Sequence, residues 1–182
     1  MKKKNNIDIF ATTNTLKVLS FLVENPGKEL LGREIQKATS ISRAGSYIAL
    51  RYLIRQKLVL KIKKGKFLMY SVIYDEPIVK QFKVVRTIQL LKPLLEKLRP
   101  LSKKIILYGS ASRGEDDPLS DIDLFIITKD PDTTKSIISG LKTKRKLQTV
   151  IKSPSELADL QDKEKVYYGE VNRGITLWEE KD

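Results

Sequence analysis

Two short apolar runs in the C-terminal half each adjoin a polar cluster, and this pairing most constrains what the chain can fold into. Lys104–Tyr108 has the character of a buried strand and leads directly into Gly109-Ser110. Ten residues separate Ser110 from Asp121-Ile122-Asp123, and the strand continues through Leu124–Thr128. Side chains alternate along a strand, so Asp121 and Asp123 should project from the same face.

Two carboxylates this close repel each other unless a cation lies between them or one takes a proton. The chain contains no cysteine and no histidine, which excludes thiol nucleophiles, histidine bases and metal sites built on sulfur or imidazole. Oxygen ligands remain, and they favour magnesium, calcium or manganese. We therefore expect Asp121 and Asp123 to bind a divalent cation.

Gly109 and Ser110 have the features of an anion-binding turn. Glycine lets the backbone approach a ligand closely, and a turn from a strand into a helix directs N–H groups at an anion. The Gly-Lys-Ser/Thr of a P-loop does not follow. An anion cradle and a metal site held by one loop suit a metal-bound nucleoside triphosphate such as ATP. The alternative is an acidic strand end that binds no ligand.

Leu107–Glu115 with Ser120–Leu124 resembles the DNA polymerase beta-type nucleotidyltransferase superfamily, and more narrowly the minimal nucleotidyltransferases. Their pattern of Gly-Ser followed by Asp-x-Asp is complete here. The resemblance implies a small mixed-sheet domain in which the catalytic residues Asp121 and Asp123 hold magnesium or manganese ions. It also implies that Gly109 and Ser110 hold the triphosphate. Arg113 either assists a phosphate or lies on a helix surface.

The family usually supplies a third carboxylate on a later strand, where it helps to activate the attacking hydroxyl. That strand is predicted at Lys146–Ile151, after a helix at about residues 133–142, and Gln148 stands where the carboxylate is expected. A neutral amide accepts no proton, so the case for turnover is weaker than the case for nucleotide binding. A register shift of one residue would bring Thr149 into the site. The nearest alternative carboxylates along the sequence are Asp130, Asp132 and Glu156.

The positive charge of the chain is concentrated in its first half. Residues 1–75 carry a net charge of +10, residues 76–100 carry +4 and residues 101–182 carry −1, out of +13 in total. This asymmetry predicts an N-terminal part that faces a polyanion and a C-terminal part with another task.

Apolar residues at helical spacing predict three helices, over residues 13–24, 30–38 and about 43–56. Two β-rich runs, 58–62 and 67–72, joined by the basic turn 63–66, predict a hairpin. This order, with Leu50–Val59 carrying the pattern, resembles a winged helix-turn-helix domain over about residues 10–75. The resemblance implies a recognition helix in the major groove of DNA and a wing on the backbone.

Basic and polar side chains of this region are the candidates for the nucleic-acid interface. The predicted DNA face consists of Arg43, Ser46, Tyr47 and Arg51, and the phosphate-binding wing consists of Lys61, Lys63, Lys64 and Lys66. One alternative is an ordinary lysine-rich surface, which is common among proteins. The other is a protein-docking module, since winged helices also serve that purpose.

Residues 76–99 predict a helix with Ile78, Phe82, Val85, Ile88, Leu91, Leu95 and Leu98 on one side, which Pro93 should kink or split. This helix either links two domains or forms a homodimer contact. The expected architecture is α+β, with a winged helix domain (1–75), a linker helix (76–100) and a nucleotidyltransferase domain (101–182).

Two functions from different classes follow. The first is a Mg-dependent nucleotidyltransferase that moves a nucleoside monophosphate from a nucleoside triphosphate to a hydroxyl of a protein, an RNA end or a small molecule. The second is a DNA-binding transcriptional regulator whose nucleotidyltransferase fold is a nucleotide sensor. No apolar run is long enough to cross a membrane, and the basic start lacks a cleavage-site pattern, so we expect a cytoplasmic protein without a membrane partner.

Overall fold

The structure is a computed structural model that describes residues 13–140 and 145–181. The chain divides into two compact units, residues 1–80 and 81–182. The first contains a three-stranded antiparallel sheet and the second a four-stranded mixed sheet. The predicted α+β class and the mixed C-terminal sheet are therefore confirmed.

Three helices open the described part of the first unit: α1 (Asn14–Val23), α2 (Gly32–Thr39) and α3 (Arg43–Arg55). Two of them begin at capping side chains. Thr13 accepts a hydrogen bond from the backbone N–H of Leu16 at 3.2 Å, and Ser42 accepts one from Gly45 at 3.1 Å. Each cap satisfies a donor that the first turn of a helix leaves without an intrahelical partner.

The predicted start of the second helix was wrong. Leu30 and Leu31 form a short strand, β1, and α2 begins only at Gly32. The two leucines pair with Tyr70 and Met69 of a later strand. Local apolar spacing could not reveal this pairing, because its partner lies far along the chain.

The hairpin consists of β2 (Val59–Lys64) and β3 (Phe67–Val72), and its turn is tighter than predicted. Lys64 pairs with Phe67, so only Gly65 and Lys66 form the turn. Gly65 has a φ of +58°, and two-residue hairpin turns favour glycine at such a position. Most of the predicted wing lysines consequently lie on a strand.

The core of the first unit draws on its helices and its hairpin. Its buried apolar side chains include Val18, Leu19, Leu22, Val23, Ile35, Ala49, Leu50, Leu53, Leu58, Val59 and Val72.

The rest of the chain alternates helices and strands. The elements are α4 (Pro77–Leu98), β4 (Ser102–Tyr108), α5 (Gly109–Arg113), β5 (Ile122–Thr128), α6 (Pro131–Ser139), β6 (Leu147–Lys152), α7 (Pro154–Lys163), α8 (Lys165–Asn172) and β7 (Ile175–Glu179). The strand order is β6-β5-β4-β7. Strand β4 is antiparallel to β5 and β7, whereas β5 and β6 are parallel. The predicted end of the helix before β6 falls in residues 141–144, outside the described residues.

The mixed sheet is covered on both faces. One face packs against α4 and α6 through Leu107, Ile122 and Leu124, among others. The other face packs against α7 and α8 and includes Tyr108 and Phe125. Because strand side chains alternate, Asp123 shares the second face with Phe125.

Helix α4 is continuous although Pro93 lies inside it, so the chain is not split there. Its predicted apolar side was partly wrong, because Ile78 and Val85 are exposed whereas Val79 and Val84 are buried. Lys83 is also buried on this helix. Because one position of the buried side is a lysine, the apolar spacing along this helix does not mark that side correctly.

None of the helices in the described ranges has the length and hydropathy needed to cross a membrane.

Candidate functional site

Asp123 and Gly109 lie against each other where two central strands meet. Tyr108, the last residue of β4, pairs with Asp123 of β5, and Gly109 follows with a φ of +67°. A Cβ added at Gly109 would overlap the carboxylate of Asp123. Glycine is therefore required twice here, for its left-handed backbone and for the space that the carboxylate occupies.

Asp121 stands at the entrance to β5, at the end of a loop that is held by its own hydrogen bonds. The carboxylate of Asp117 accepts hydrogen bonds from the N–H groups of Leu119 at 2.7 Å and Ser120 at 2.8 Å. These bonds lower the pKa of Asp117, the one from Leu119 most. The loop thus presents Asp121 from a fixed turn.

A buried ion network fixes the same loop from beneath. Asp116 has a side chain only 5% exposed and lies between Lys83 of α4 and Arg145. Arg145 donates to the Asp116 carboxylate at 2.5 Å, and Lys83 donates to the carbonyl of Gly114 at 3.0 Å and to that of Asp116. Desolvation lowers the pKa of Lys83, partly offset by the charge of Asp116. Removing one member would leave buried charge uncompensated.

Arg145 also contacts the backbone of Asp121, one of the two candidate metal ligands. Its guanidinium donates to the carbonyl of Ser120 at 2.9 Å and to that of Asp121 at 3.3 Å. Sequence reasoning missed both Arg145 and Lys83. No local sequence signal identifies either residue, because Lys83 interrupts the apolar stripe of α4 and Arg145 lies 29 residues from its partner Asp116.

The carboxylate of Asp121 has a cationic neighbour. Lys146 donates to it at 2.8 Å, and this hydrogen bond raises the pKa of the mostly exposed lysine. A ligand cation at Asp121 would compete with the Lys146 ammonium for the same oxygen.

Asp123 is affected by burial and by charged neighbours of both signs, and the charge of Arg145 partly offsets the rise in its pKa. Desolvation raises the pKa of its carboxyl, and the negative charges of Asp121 and Glu170 raise it further. Glu170 belongs to α8 and was missed by the sequence analysis, since nothing in its local sequence links it to the strand motif. Its charge favours cation binding at Asp123.

Gln148 lies beside Asp123 in the parallel pairing of β5 and β6, whereas Thr149 pairs with Leu124. Val150, two residues after Gln148, packs on the α7–α8 face of the sheet. Gln148 and Asp123 therefore share that face, and Thr149 points to the opposite one. The register puts an exposed amide, not a carboxylate, next to Asp123.

The three other candidate carboxylates are engaged elsewhere. Asp130 caps α6 by accepting a hydrogen bond from Thr133 at 3.0 Å, and Asp132 is paired with Lys135. Glu156 closes the capping box of α7 with Ser153. None of the three appears among the charges that act on Asp123.

An open cleft of about 600 Å³ adjoins Gly109. Arg113 lines it and forms an ion pair with Glu115 at 2.8 Å. The far wall comes from α8 and includes Lys165, Glu170 and Arg173. The cleft thus offers cations for phosphate groups beside a site of converging carboxylates. Ser110 lies next to it in the first turn of α5 and is partly buried.

The donor set fits a hard divalent cation. Asp121 and Asp123 offer oxygen atoms, their mutual charge opposes full ionisation without a cation, and the missing side chain of Gly109 makes room for the Asp123 carboxylate. In the described part of the chain, no group of three or more acidic side chains is close enough to hold an ion by itself. A bound nucleotide would have to complete the coordination.

The predicted nucleic-acid residues fall into two groups. Arg43, Tyr47 and Arg51 are exposed on α3, whereas Ser46 is buried with 4% exposure. The wing lysines, Lys61, Lys63, Lys64 and Lys66, are all exposed. Lys64 is paired with Glu29 at 2.5 Å, and Lys66 lies over the ring of Phe67.

Comparison with known proteins identifies one family. The family model described as "Polymerase beta, Nucleotidyltransferase" matches residues 89–182. No curated protein matches the chain. Among solved structures, the chain is similar to TrmBL2, an archaeal chromatin protein described as showing a novel mode of DNA binding. The identity is 13%, the TM-score is 0.32, and the match covers 86% of this chain and 68% of that one.

Proposed function

The chain belongs to the polymerase beta nucleotidyltransferase family, and from that premise we propose that it transfers a nucleoside monophosphate from a nucleoside triphosphate to a hydroxyl acceptor. The observation that carries the proposal is the contact between Gly109 and Asp123. It joins the turn at Gly109 to a carboxylate that also feels the negative charges of Asp121 and Glu170.

Each side chain of the site has a role in this proposal. Asp121 and Asp123 would hold magnesium or manganese, which neutralises the triphosphate and favours departure of pyrophosphate when bound. Gly109 and Ser110 would hold the phosphates at the start of α5, and Arg113 would contact them from the cleft. Arg145 and Asp116 keep the loop of Asp121 in place.

The reaction forms one bond and breaks one. The acceptor oxygen bonds to the α-phosphorus, the bond from that phosphorus to the bridging oxygen breaks, and pyrophosphate leaves with the electron pair. The acceptor proton passes to water, because the Gln148 amide beside Asp123 does not accept it.

The first unit would bind nucleic acid as a winged helix. Arg43, Tyr47 and Arg51 stand exposed on α3, and the lysines of β2 extend the cationic surface. With a charge of +10 in residues 1–75, affinity for a polyanion should fall steeply with salt through counterion release.

A second function is favoured by one specific observation. Gln148 occupies the strand position next to Asp123, so the fold would serve as a nucleotide sensor for a DNA-binding regulator. Binding would persist in this case, and transfer would be absent.

Nucleotide binding is tested with Asp121→Asn combined with Asp123→Asn. The change removes both charges and much of the repulsion between them, so the fold should persist while magnesium-dependent ATP binding disappears. Calorimetry with and without magnesium measures the effect. Unchanged affinity for Mg-ATP in the double variant would sink the metal-site assignment.

Turnover is tested with Gln148→Asp and its neighbour Thr149→Asp as the matched control. A positioned general base contributes about a hundredfold or more, so Gln148→Asp should raise transfer of labelled nucleotide to protein, RNA or small-molecule acceptors. Thr149 lies on the other face and should give no gain. If neither wild type nor Gln148→Asp transfers nucleotide, the sensor function is favoured.

A further inference from the structure

The first unit contains a cationic cleft that the proposed transfer reaction does not use. It has a volume of about 440 Å³ and lies between α2, α3 and β3. Arg33 and Arg43 line it together with Tyr47 and Tyr70, and no acidic side chain lines it among the described residues. Its volume falls within the range of small-ligand sites.

Strand pairing extends the positive charge beyond the cleft. Lys61 stands directly opposite Tyr70, and Lys63 stands opposite Leu68, which also lines the cleft. Residues directly opposite in an antiparallel pair place their side chains on the same face. The two lysines therefore continue the cationic surface along β2, away from the cleft.

Ser46 supplies an independent sign of a ligand. It lines the cleft, is 4% exposed, and its hydroxyl has no hydrogen-bond partner among the described residues. A buried hydroxyl without a partner costs stability, so a polar group of a ligand that reached Ser46 through the cleft would gain a hydrogen bond that the described residues do not supply.

The aromatic lining narrows the ligand class. Tyr47 and Tyr70 both line the cleft, and Leu50 and Leu68 add apolar surface. Arginine donors beside a tyrosine wall recognise a phosphate joined to a flat ring. Single-stranded nucleic acids are bound in this way, with unstacked bases on aromatic rings and phosphates on basic side chains.

We propose that the cleft binds one unstacked nucleotide of a single-stranded nucleic acid. A paired base inside a duplex does not reach the floor of a cleft unless it leaves the stack. Lys61 and Lys63 favour a strand over a free nucleotide, because a row of lysines beyond the cleft has phosphates to bind only if the backbone continues. The inference rests on the proposed nucleic-acid function of the first unit and deepens it.

The test measures fluorescence anisotropy of the full chain with a labelled single-stranded oligonucleotide, its matching duplex, and free AMP as competitor. The single strand should bind more tightly than the duplex, and AMP should compete poorly. Tyr47→Leu should weaken single-strand binding between about fivefold and about a hundredfold, the range of one lost base–aromatic stack. Tyr52→Leu is the matched control, since Tyr52 is exposed on α3 like Tyr47 but does not line the cleft.

Ser46→Ala separates ligand binding from folding. The variant should weaken single-strand binding while leaving thermal stability unchanged or higher, because it removes a buried hydroxyl without a partner. Equal binding of duplex and single strand, equal losses in Tyr47→Leu and Tyr52→Leu, or AMP competing as well as the strand would overturn the cleft assignment but not nucleic-acid binding. Failure to bind any nucleic acid would overturn both.

Discussion

The two clefts of the molecule both have cationic lining residues but differ in the acidic side chains around them. The cleft of the first unit is lined by arginines and tyrosines on exposed surfaces, with no carboxylate among its described lining residues. The cleft beside Gly109 borders converging carboxylates, and the loop that bears Asp121 is fixed by a buried ion network. Binding a polyanion needs charge at roughly the right place, whereas holding a cation against a phosphate needs fixed atoms. The difference accounts for the buried charged support beneath the loop of Asp121.

The largest effect on stability is expected from a substitution that breaks the buried network of Lys83, Asp116 and Arg145. Asp116→Ala leaves Lys83 and Arg145 buried without their carboxylate, which should lower the free energy of unfolding by about 3–5 kcal/mol. Urea denaturation followed by circular dichroism measures it. Asp117→Ala, in the same loop but exposed, is the control and should cost far less. Equal losses for the two variants would contradict the importance of the buried network.

The two units can be compared through one glycine in each, Gly65 and Gly109, since both have a left-handed backbone. Gly109→Ala and Gly65→Ala each carry the backbone cost of a positive φ, about 1–2 kcal/mol. Only Gly109→Ala adds overlap with a carboxylate, because nothing lies within contact distance of a Cβ at Gly65. Gly109→Ala should therefore be the less stable variant and should also lose Mg-ATP binding in calorimetry. Retained binding in Gly109→Ala would disprove the cradle.

Helix caps offer a smaller comparison. Ser42→Ala in the first unit and Ser153→Ala in the second should each cost about 1 kcal/mol in thermal or urea unfolding. Hydrogen bonds from Ser153 lower the pKa of Glu156. The contribution of that carboxylate is present above the ordinary glutamate pKa and is lost as pH falls through the lowered folded-state pKa. The main bond to the Glu156 carboxylate comes from the backbone N–H of Ser153, which Ser153→Ala retains. Glu156→Gln removes the carboxylate itself, so the cost of Glu156→Gln should shrink in acid, while that of Ser42→Ala should not.

The smallest effect is expected at the surface pair of Lys64 and Glu29. Glu29→Gln should change the free energy of unfolding by less than about 0.5 kcal/mol, because Lys64 is exposed and Glu29 is partly exposed, so water and salt screen the pair. The same variant releases Lys64 for phosphates, so nucleic-acid affinity should rise at low salt and converge with wild type at high salt. A large loss of stability would show that the hairpin depends on this pair.

The local parts of the fold were predictable from the sequence. Helix spacing and the hairpin around Gly65 are encoded by neighbouring residues, and each is observed close to its predicted position. The strand β1 was not predictable in this way, because Leu30 and Leu31 become a strand only through pairing with β3.

The candidate site also has a part that the local sequence predicts and a part that it does not. The Gly-Ser turn and the paired aspartates stand out in the sequence, and the strand register places Gln148 beside Asp123 as expected. The environment of the site came from residues without a local signature. Glu170 arrives on a distant helix, and Arg145 acts on backbone carbonyls that no sequence pattern reveals.

The network of Lys83, Asp116 and Arg145 also bears on how this sequence can diverge. The partners of Asp116 lie 33 residues before it and 29 residues after it. A substitution at any one of the three leaves buried charge uncompensated, whereas joint replacement by apolar residues is often neutral. Among related sequences, these three positions should therefore covary, being either all charged or all apolar. Sequences in which only one of the three has been replaced should be rare.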